Sequence, residues 1–265
     1  MKASALMLDK SANEPLPAAG VNFSANPNRH VVDFPETDIP CKNCACRDRC
    51  LGADLAASCQ SVLPYNSIIQ SQSLAPHKHV FRQGDRSDAL YIVRAGSVKL
   101  YYVSASGKEQ VLVFYMPGEV LGLDALGVDS YDSSALALEY TSLCVIPFSS
   151  LQQIPDSHHF LYKLLSSTVA RDHRTIELIA RKDAEVKLAI FLLDLSKRFR
   201  ARGCSASHFS LSMKRSEIGN HLGLAVETVS RLFTRFQQDG LLQVNKRQIS
   251  ILDLIKLERL AGVRA

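Results

Sequence analysis

Between about residues 77 and 148 the apolar positions fall in short runs rich in β-branched and aromatic residues. These are Val80-Phe81, Leu90-Tyr91-Ile92-Val93, Ser97 to Val103 and Glu109 to Tyr115. Gly84, Gly96, Gly107 and Gly118 punctuate them. Short strands at this spacing predict a compact antiparallel barrel or sandwich, with Ser142 to Phe148 as its closing strand. From 157 to 186 the pattern changes: Pro and Gly are missing and helix formers dominate. Leu165, Ile179 and Val186 keep a seven-residue spacing, with Leu161, Thr168 and Thr175 beside them, as in a seam for a partner helix. Asp172 takes the place in that stripe between Leu165 and Ile179. A second amphipathic helix is expected over 184–202, with Ala189, Phe191, Leu192 and Leu195 inward and Gly203 at its end. Residues 210–265 read as helix, turn, helix, β-hairpin and short helix. Residues 1–40 hold Pro15, Pro17, Pro27, Pro35 and Pro40 among Asn, Ser and Ala, which predicts a mobile tail. A short helix is expected near 50–60.

Residues 215–235 have helix-turn-helix grammar. Ile218 and Leu222 form the buried face of a first helix, and Gly223 suits the tight turn. Val226, Val229, Leu232 and Phe233 can pack the second helix. Glu227, Ser230 and Arg231 then share an outward face at i, i+3 and i+4. Arg231 can bond guanine O6 and N7, Glu227 can accept from cytosine N4, and Ser230 is short enough to meet a base edge or phosphate. Arg235, Lys214 and Arg215 are expected at backbone phosphates. A hairpin over 241–252, turning at Asn245-Lys246-Arg247, would add a wing. Ala225 stands where Ser or Thr would cap the second helix.

Charge sharpens this picture. The chain has 265 residues and a formal net charge of +5. Residues 186–265 hold 14 Lys and Arg against 6 Asp and Glu, a net of +8, while residues 1–185 carry a net of −3. A basic third on an acidic body fits a polyanion-binding module attached to another unit. Apolar residues make up 46% and charged residues 22%, enough to bury a core and unlike a disordered chain. No apolar run is long enough to span a bilayer, and residues 1–10 lack the features of a signal peptide, so a cytoplasmic location is expected.

The 7 cysteines are unevenly spread. Cys41, Cys44, Cys46 and Cys50 fall in one short loop, and Cys41-x2-Cys44-x5-Cys50 offers three thiolates. Cys144 is a candidate fourth. Cys59 and Cys204 read as bystanders. In a reducing compartment such a set fits an iron–sulfur cluster, a tetrahedral zinc ion or redox thiols, and the spacing alone leaves all three open. Lys42, Arg47 and Arg49 flank the thiols and would lower their pKa. No acid–base pair or nucleophile constellation is present, so an enzyme is not expected.

Taken together, Cys-x2-Cys-x5-Cys, the run Ala137 to Phe148 around Cys144, and Gly223 to Arg231 resemble the CRP/FNR superfamily of bacterial transcription regulators. The match is to its FNR branch of oxygen-responsive anaerobic regulators and covers about 41–260, with nitric oxide left open as an alternative signal. The resemblance implies an α+β fold: a cyclic-nucleotide-binding-like β-roll, a long dimerisation helix and a C-terminal winged helix-turn-helix. The corresponding division is tail 1–40, cysteine-rich segment 41–60, β-roll 61–156, dimerisation helix 157–186, and DNA-binding domain 187–265 with the helix-turn-helix at 215–234. It implies one [4Fe–4S] cluster per subunit on Cys41, Cys44, Cys50 and Cys144. It also implies base reading by Glu227, Ser230 and Arg231, and a dimer switch at Asp172, Leu165 and Ile179. The implied partners are double-stranded DNA with a two-fold symmetric site, a second copy of the chain, and RNA polymerase, which loops such as 104–108 would touch; no membrane is implied. Two departures stand out. Cys46 adds a possible substitute ligand, and Arg49 precedes Cys50 where an apolar residue is common. Cyclic-nucleotide receptors in this superfamily carry an Arg for the cyclic phosphate, and the stretch Tyr131 to Ala137 has none.

Overall fold

The structure is a computed structural model that describes Cys44, Cys50 and residues 70–151 and 157–262. The expected tail, the helix near 50–60, Cys41, Cys46 and Cys59 lie outside the described residues.

Eight strands build the roll: β1 (Gln70–Leu74), β2 (His79–Phe81), β3 (Ala89–Ala95), β4 (Val98–Val103), β5 (Glu109–Tyr115), β6 (Val120–Leu121), β7 (Ser134–Ala137) and β8 (Thr141–Pro147). They form two antiparallel four-stranded sheets, ordered β1-β8-β3-β6 and β2-β7-β4-β5. The apolar runs land where their pattern places them, and the roll adds three strands that the pattern does not announce. β1 reads Gln-Ser-Gln-Ser-Leu, β6 has two residues, and β7 is small residues apart from Leu136.

β3 explains why its sequence is continuously apolar. Ala89, Tyr91 and Val93 enter the core between the sheets, while Leu90 and Ile92 enter a second apolar cluster on the outer face. Successive strand residues point to opposite faces, so burial on both sides requires an unbroken apolar run. β8 alternates in the same way: Leu143 and Val145 go inward, and Cys144 and Ile146 go outward.

Helix α1 (Phe148–Leu151) ends the roll, and the long helix α2 (Ser157–Ala180) follows. α2 stops six residues before the expected boundary at 186. Asp183 has an extended backbone, and its carboxylate accepts from the Glu185 N–H at 2.8 Å, so it caps a new helix, α3 (Ala184–Ala201). Val186 therefore belongs to α3 and not to the seam. α3 buries Leu188, Ala189, Phe191, Leu192 and Leu195, as its pattern predicts.

The C-terminal unit holds β9 (His208–Ser210), α4 (Arg215–Leu222), α5 (Val226–Gln238), β10 (Leu242–Asn245), β11 (Gln248–Ile251) and α6 (Leu254–Leu260). The expected hairpin is present and turns at Lys246-Arg247. β9 joins it as a third strand beside β11. One apolar cluster runs from Val111 and Phe114 of β5 through α3 into the packing of α4, α5 and the wing.

Candidate nucleic-acid interface, dimer seam and thiol site

α4 and α5 meet as the sequence predicts. Ile218 and Leu222 are fully buried, and Val229, Leu232 and Phe233 pack against them. Val226, expected in that core, is instead exposed on the first turn of α5; Phe236 fills the inner face further along. Gly223 closes α4 at φ 65°, the left-handed conformation that glycine adopts without strain. Gly219 also matters. A Cβ there would lie 2.7 Å from the Leu224 carbonyl oxygen, so only glycine lets the turn fold back this closely. Ala225 is the N-cap of α5 and offers no side-chain acceptor.

Glu227, Ser230 and Arg231 all lie exposed on α5, on one face. The Ser230 hydroxyl donates to the Val226 carbonyl at 2.9 Å. The three residues expected at phosphates are placed differently from one another. Lys214 is exposed at the N-cap of α4, where its N–H donates to Glu217 at 2.8 Å. The Arg215 guanidinium lies 3.3 Å from the centre of the Phe233 ring, and burial pushes its pKa down to about 10, so it stays charged near neutrality. Arg235 is held by Glu185 of α3 and by Asp239 at 3.7 Å, so a phosphate would have to compete with two carboxylates. The sequence gives no sign of that competition, because Glu185 is fifty residues away.

α2 carries two stripes. Phe160, Leu164, Arg171 and Leu178 face the body, with the Arg171 guanidinium 4.9 Å from the Tyr115 ring centre. On the other side Tyr162, Leu165, Val169, Asp172, Ile176 and Ile179 are exposed. Their spacing alternates three and four residues, the a/d pattern of a helix pair. Leu165, Asp172 and Ile179 form one exposed row of this stripe. The second row is Tyr162, Val169 and Ile176. Leu161, Thr168 and Thr175 turn toward the body and are half-buried. Asp172 sits within this exposed apolar row, 3.6 Å from Arg171.

Of the four cysteines expected as ligands, Cys44, Cys50 and Cys144 are described. Cys50 is buried, and Cys144 packs against the same outer-face cluster, with Leu90, Ile92, Ile146, Phe160 and Leu164. Two thiols from distant parts of the chain therefore share one apolar environment beside the first turns of α2. That donor set fits a group that binds thiolates and is shielded from water.

Between the sheets the roll is filled. Tyr131 stacks on Phe81 with ring centres 3.8 Å apart, and its hydroxyl donates to the Ala89 carbonyl at 2.8 Å. Tyr131 and Tyr91 are each 1% exposed. Tyr131 opens the stretch that lacks the phosphate-binding Arg, so protein side chains occupy the interior there.

The roll is also tied to the C-terminal unit. Glu119 receives Arg198 Nη2 at 2.7 Å and Arg202 Nη2 at 2.6 Å. Burial raises the Glu119 pKa, but the charges of Arg198 and Arg202 outweigh it and hold the carboxyl below its usual value. Lys99 pairs with Glu217 of α4 at 3.0 Å. His221 of α4 is buried against Phe114 and Phe191, and burial lowers its pKa. None of these contacts is announced by a local motif.

Comparison with known proteins agrees with this arrangement. Residues 71–158 match the cyclic nucleotide-binding domain family, and residues 186–260 match the Crp-like helix-turn-helix domain. The chain is 43% identical over 226 residues to the transcriptional activator protein Anr of Pseudomonas protegens, covering 84% of this chain and 92% of that protein. It is 38% identical over 228 residues to the anaerobic regulatory protein of Haemophilus influenzae, covering 84% and 88%. Among solved structures, FixK2 of Bradyrhizobium japonicum superposes with a TM-score of 0.68 at 27% identity, covering 75% of this chain and 100% of that one. No helix among the described residues is long and apolar enough to cross a membrane. The chain belongs to the CRP/FNR-type transcription regulators, a family of dimeric, helix-turn-helix DNA-binding proteins that are not enzymes.

Proposed function

We propose that this regulator responds to oxygen through one [4Fe–4S] cluster per subunit, held by Cys41, Cys44, Cys50 and Cys144, and that its state controls dimerisation and promoter binding. The observation that carries this reading is the shared apolar cluster of Cys50, Cys144 and the first turns of α2. The names of the Pseudomonas and Haemophilus relatives, an activator and an anaerobic regulator, support it. Such a cluster supplies an oxygen-reactive redox centre when bound.

The rest of the mechanism belongs to the chain itself. Cys50 packs with Cys144 and Ile146 of β8 and with Phe160 and Leu164 of α2. A group held by these thiols therefore bears on the start of α2, where the exposed seam begins. Tyr162, Leu165, Val169, Ile176 and Ile179 favour pairing with a second copy, and the two Asp172 carboxylates oppose it. A dimer presents two copies of α5 one DNA turn apart, suited to a two-fold symmetric site. Glu227, Ser230 and Arg231 read base edges there, and Lys214, Arg215 and Arg235 meet phosphates. RNA polymerase is a further partner, and the site of action is the cytoplasm.

Anaerobic purification tests the reading. The protein should be straw-brown, contain iron and sulfide in equal amounts, and bleach in air. Ser replacements at Cys41, Cys44, Cys50 and Cys144 should each abolish the colour, while Cys46→Ser should keep it. A colourless protein containing zinc would establish the zinc-stapled alternative. Iron-free protein that changes DNA affinity with thiol oxidation would establish a thiol-redox regulator. The absence of an Arg in the stretch Tyr131 to Ala137 argues against a response to cyclic nucleotide.

A further inference from the structure

β5 lies at the edge of its sheet, so its outward N–H and C=O groups have no strand to pair with. α4 covers that edge with side chains. Asn220 Oδ1 accepts from the Val111 N–H at 2.5 Å, and Asn220 Nδ2 donates to the Glu109 carbonyl at 2.8 Å. The amide thus pairs with the strand as a neighbouring backbone would, and only one orientation of it satisfies both bonds. Gln110 Nε2 returns a bond to the Asn220 carbonyl at 2.7 Å. His221 Nδ1 lies 3.3 Å from the Val111 carbonyl. A bulge in β5 at this point, where the register with β4 shifts between Leu100 and Tyr101, leaves Leu112 as the extra residue. Bulges re-aim an edge strand and end its pairing. Asn220 is only seven residues before Glu227 on the reading helix, and Gly223 and Gly219 make the link between the two helices tight.

We infer that Asn220 is a positioning residue that sets the half-site spacing this regulator accepts, by locking the helix-turn-helix unit to the edge of the sensing roll. Each roll is followed in the chain by α2, which carries the dimer seam. A rigid joint between α4 and β5 therefore fixes where each reading helix lies relative to the two-fold axis. Without that joint the unit is still tethered through Glu119 to Arg198 and Arg202 and through Lys99 to Glu217, but α4 is no longer registered on the β5 edge, and the reading helix gains freedom to follow a displaced half-site. This inference rests on the proposed reading of a two-fold symmetric site.

The test uses full-length protein purified anaerobically, and the palindromic duplex that wild-type protein selects from a randomised library. Matched duplexes carry one or two added base pairs at the centre, each turning a half-site by about 34° at 10–10.5 base pairs per turn. Wild-type affinity should fall by about 100-fold or more on the two-pair insertion, since a half-site that cannot be reached forfeits several base contacts. Asn220→Ala should bind the unmodified duplex within about tenfold of wild type and lose less than about tenfold on insertion. Asn220→Asp keeps the acceptor for Val111 and loses the donor to Glu109, so its discrimination should fall between the two. Amide hydrogen exchange at Val111 should quicken in the order wild type, Asp, Ala. If Asn220→Ala fails to fold, Gln110→Ala removes one bond of the same joint and should relax spacing in the same direction. Variants that keep wild-type spacing discrimination would overturn the inference. A wild-type protein that selects no symmetric duplex would overturn instead the reading on which it rests.

Discussion

Replacing Glu119 by Ala removes the central anion of the joint between roll and α3. Its carboxylate accepts from Arg198 Nε at 3.1 Å, Arg198 Nη2 at 2.7 Å, Arg202 Nη2 at 2.6 Å and the Met116 N–H at 3.1 Å. The three side chains are only 16–23% exposed. Removing one partner of a buried pair costs roughly 3–5 kcal/mol because a charge is left without compensation. Two features lower that here. Some solvent reaches the site, and Arg198 keeps Asp194 at 3.4 Å and the Phe114 carbonyl at 2.5 Å. A loss of about 2–3 kcal/mol is expected for Glu119→Ala, and about half that for Glu119→Gln, which keeps an acceptor. Urea unfolding at pH 7.5, followed by far-ultraviolet circular dichroism, reads it. The pH dependence adds a sign. The folded pKa of Glu119 lies below 4.5, so its contribution is present above about pH 4.5 and is lost as pH falls through the folded value. The Ala variant should therefore lose less stability on acidification than wild type. A loss under about 0.5 kcal/mol at pH 7.5 would show that water already screens the network and would refute the reasoning.

His221 shifts the same way for a different reason. Burial lowers its pKa from 6.5, so the neutral form is favoured in the fold, and stability falls as pH drops below about 6.5. His221→Phe keeps the contacts with Phe114 and Phe191 and should shrink the fall in urea midpoint between pH 7.5 and 5.5. His79, lowered by burial too, leaves a residual slope; an unchanged slope would remove His221 from the account. Ala225→Ser supplies the missing cap at φ −64° and ψ 146° and should raise stability by about 0.5–1.5 kcal/mol, visible as a higher melting temperature. A lower melting temperature would mean that the hydroxyl finds no donor there. Asp172→Ala removes a carboxylate pair which, about 6–8 Å apart at an effective dielectric of 20–80, repels by about 0.5–3 kcal/mol. Sedimentation equilibrium in air should show a tighter dimer, and an unchanged dissociation constant would exclude repulsion at this seam.

The strands and reading helices were legible because their cause is local. β-branched and aromatic runs between glycine turns place β4 and β5, and a doubly buried strand such as β3 needs an unbroken apolar run. Gly223 marks its turn because few other residues adopt that backbone conformation. β1, β7 and β9 are different. Each has a single large apolar residue (Leu74, Leu136 and Phe209) among polar or small ones, and what makes them strands is pairing with β8, with β2 and β4, and with β11, far away in the chain. The half-read seam has a similar origin. Heptad spacing shows that α2 has stripes, but the stripe that stays exposed is decided by Phe160, Leu164 and Leu178 packing on the body.

By itself the sequence determined the order of units, the cluster of thiols, the turn of the helix-turn-helix, and an Asp set in an apolar stripe. Each of these follows from chemistry confined to a few neighbouring residues. Only the tertiary structure decided that Asp183 ends one helix and begins the next in space, and that Cys50 and Cys144 share a wall with α2. It alone occupied Arg235 with Glu185, filled the roll with Tyr131, and laid Asn220 along the edge of β5. Those outcomes depend on which distant groups satisfy a buried charge, an apolar face or an open strand edge, and no local pattern carries that information.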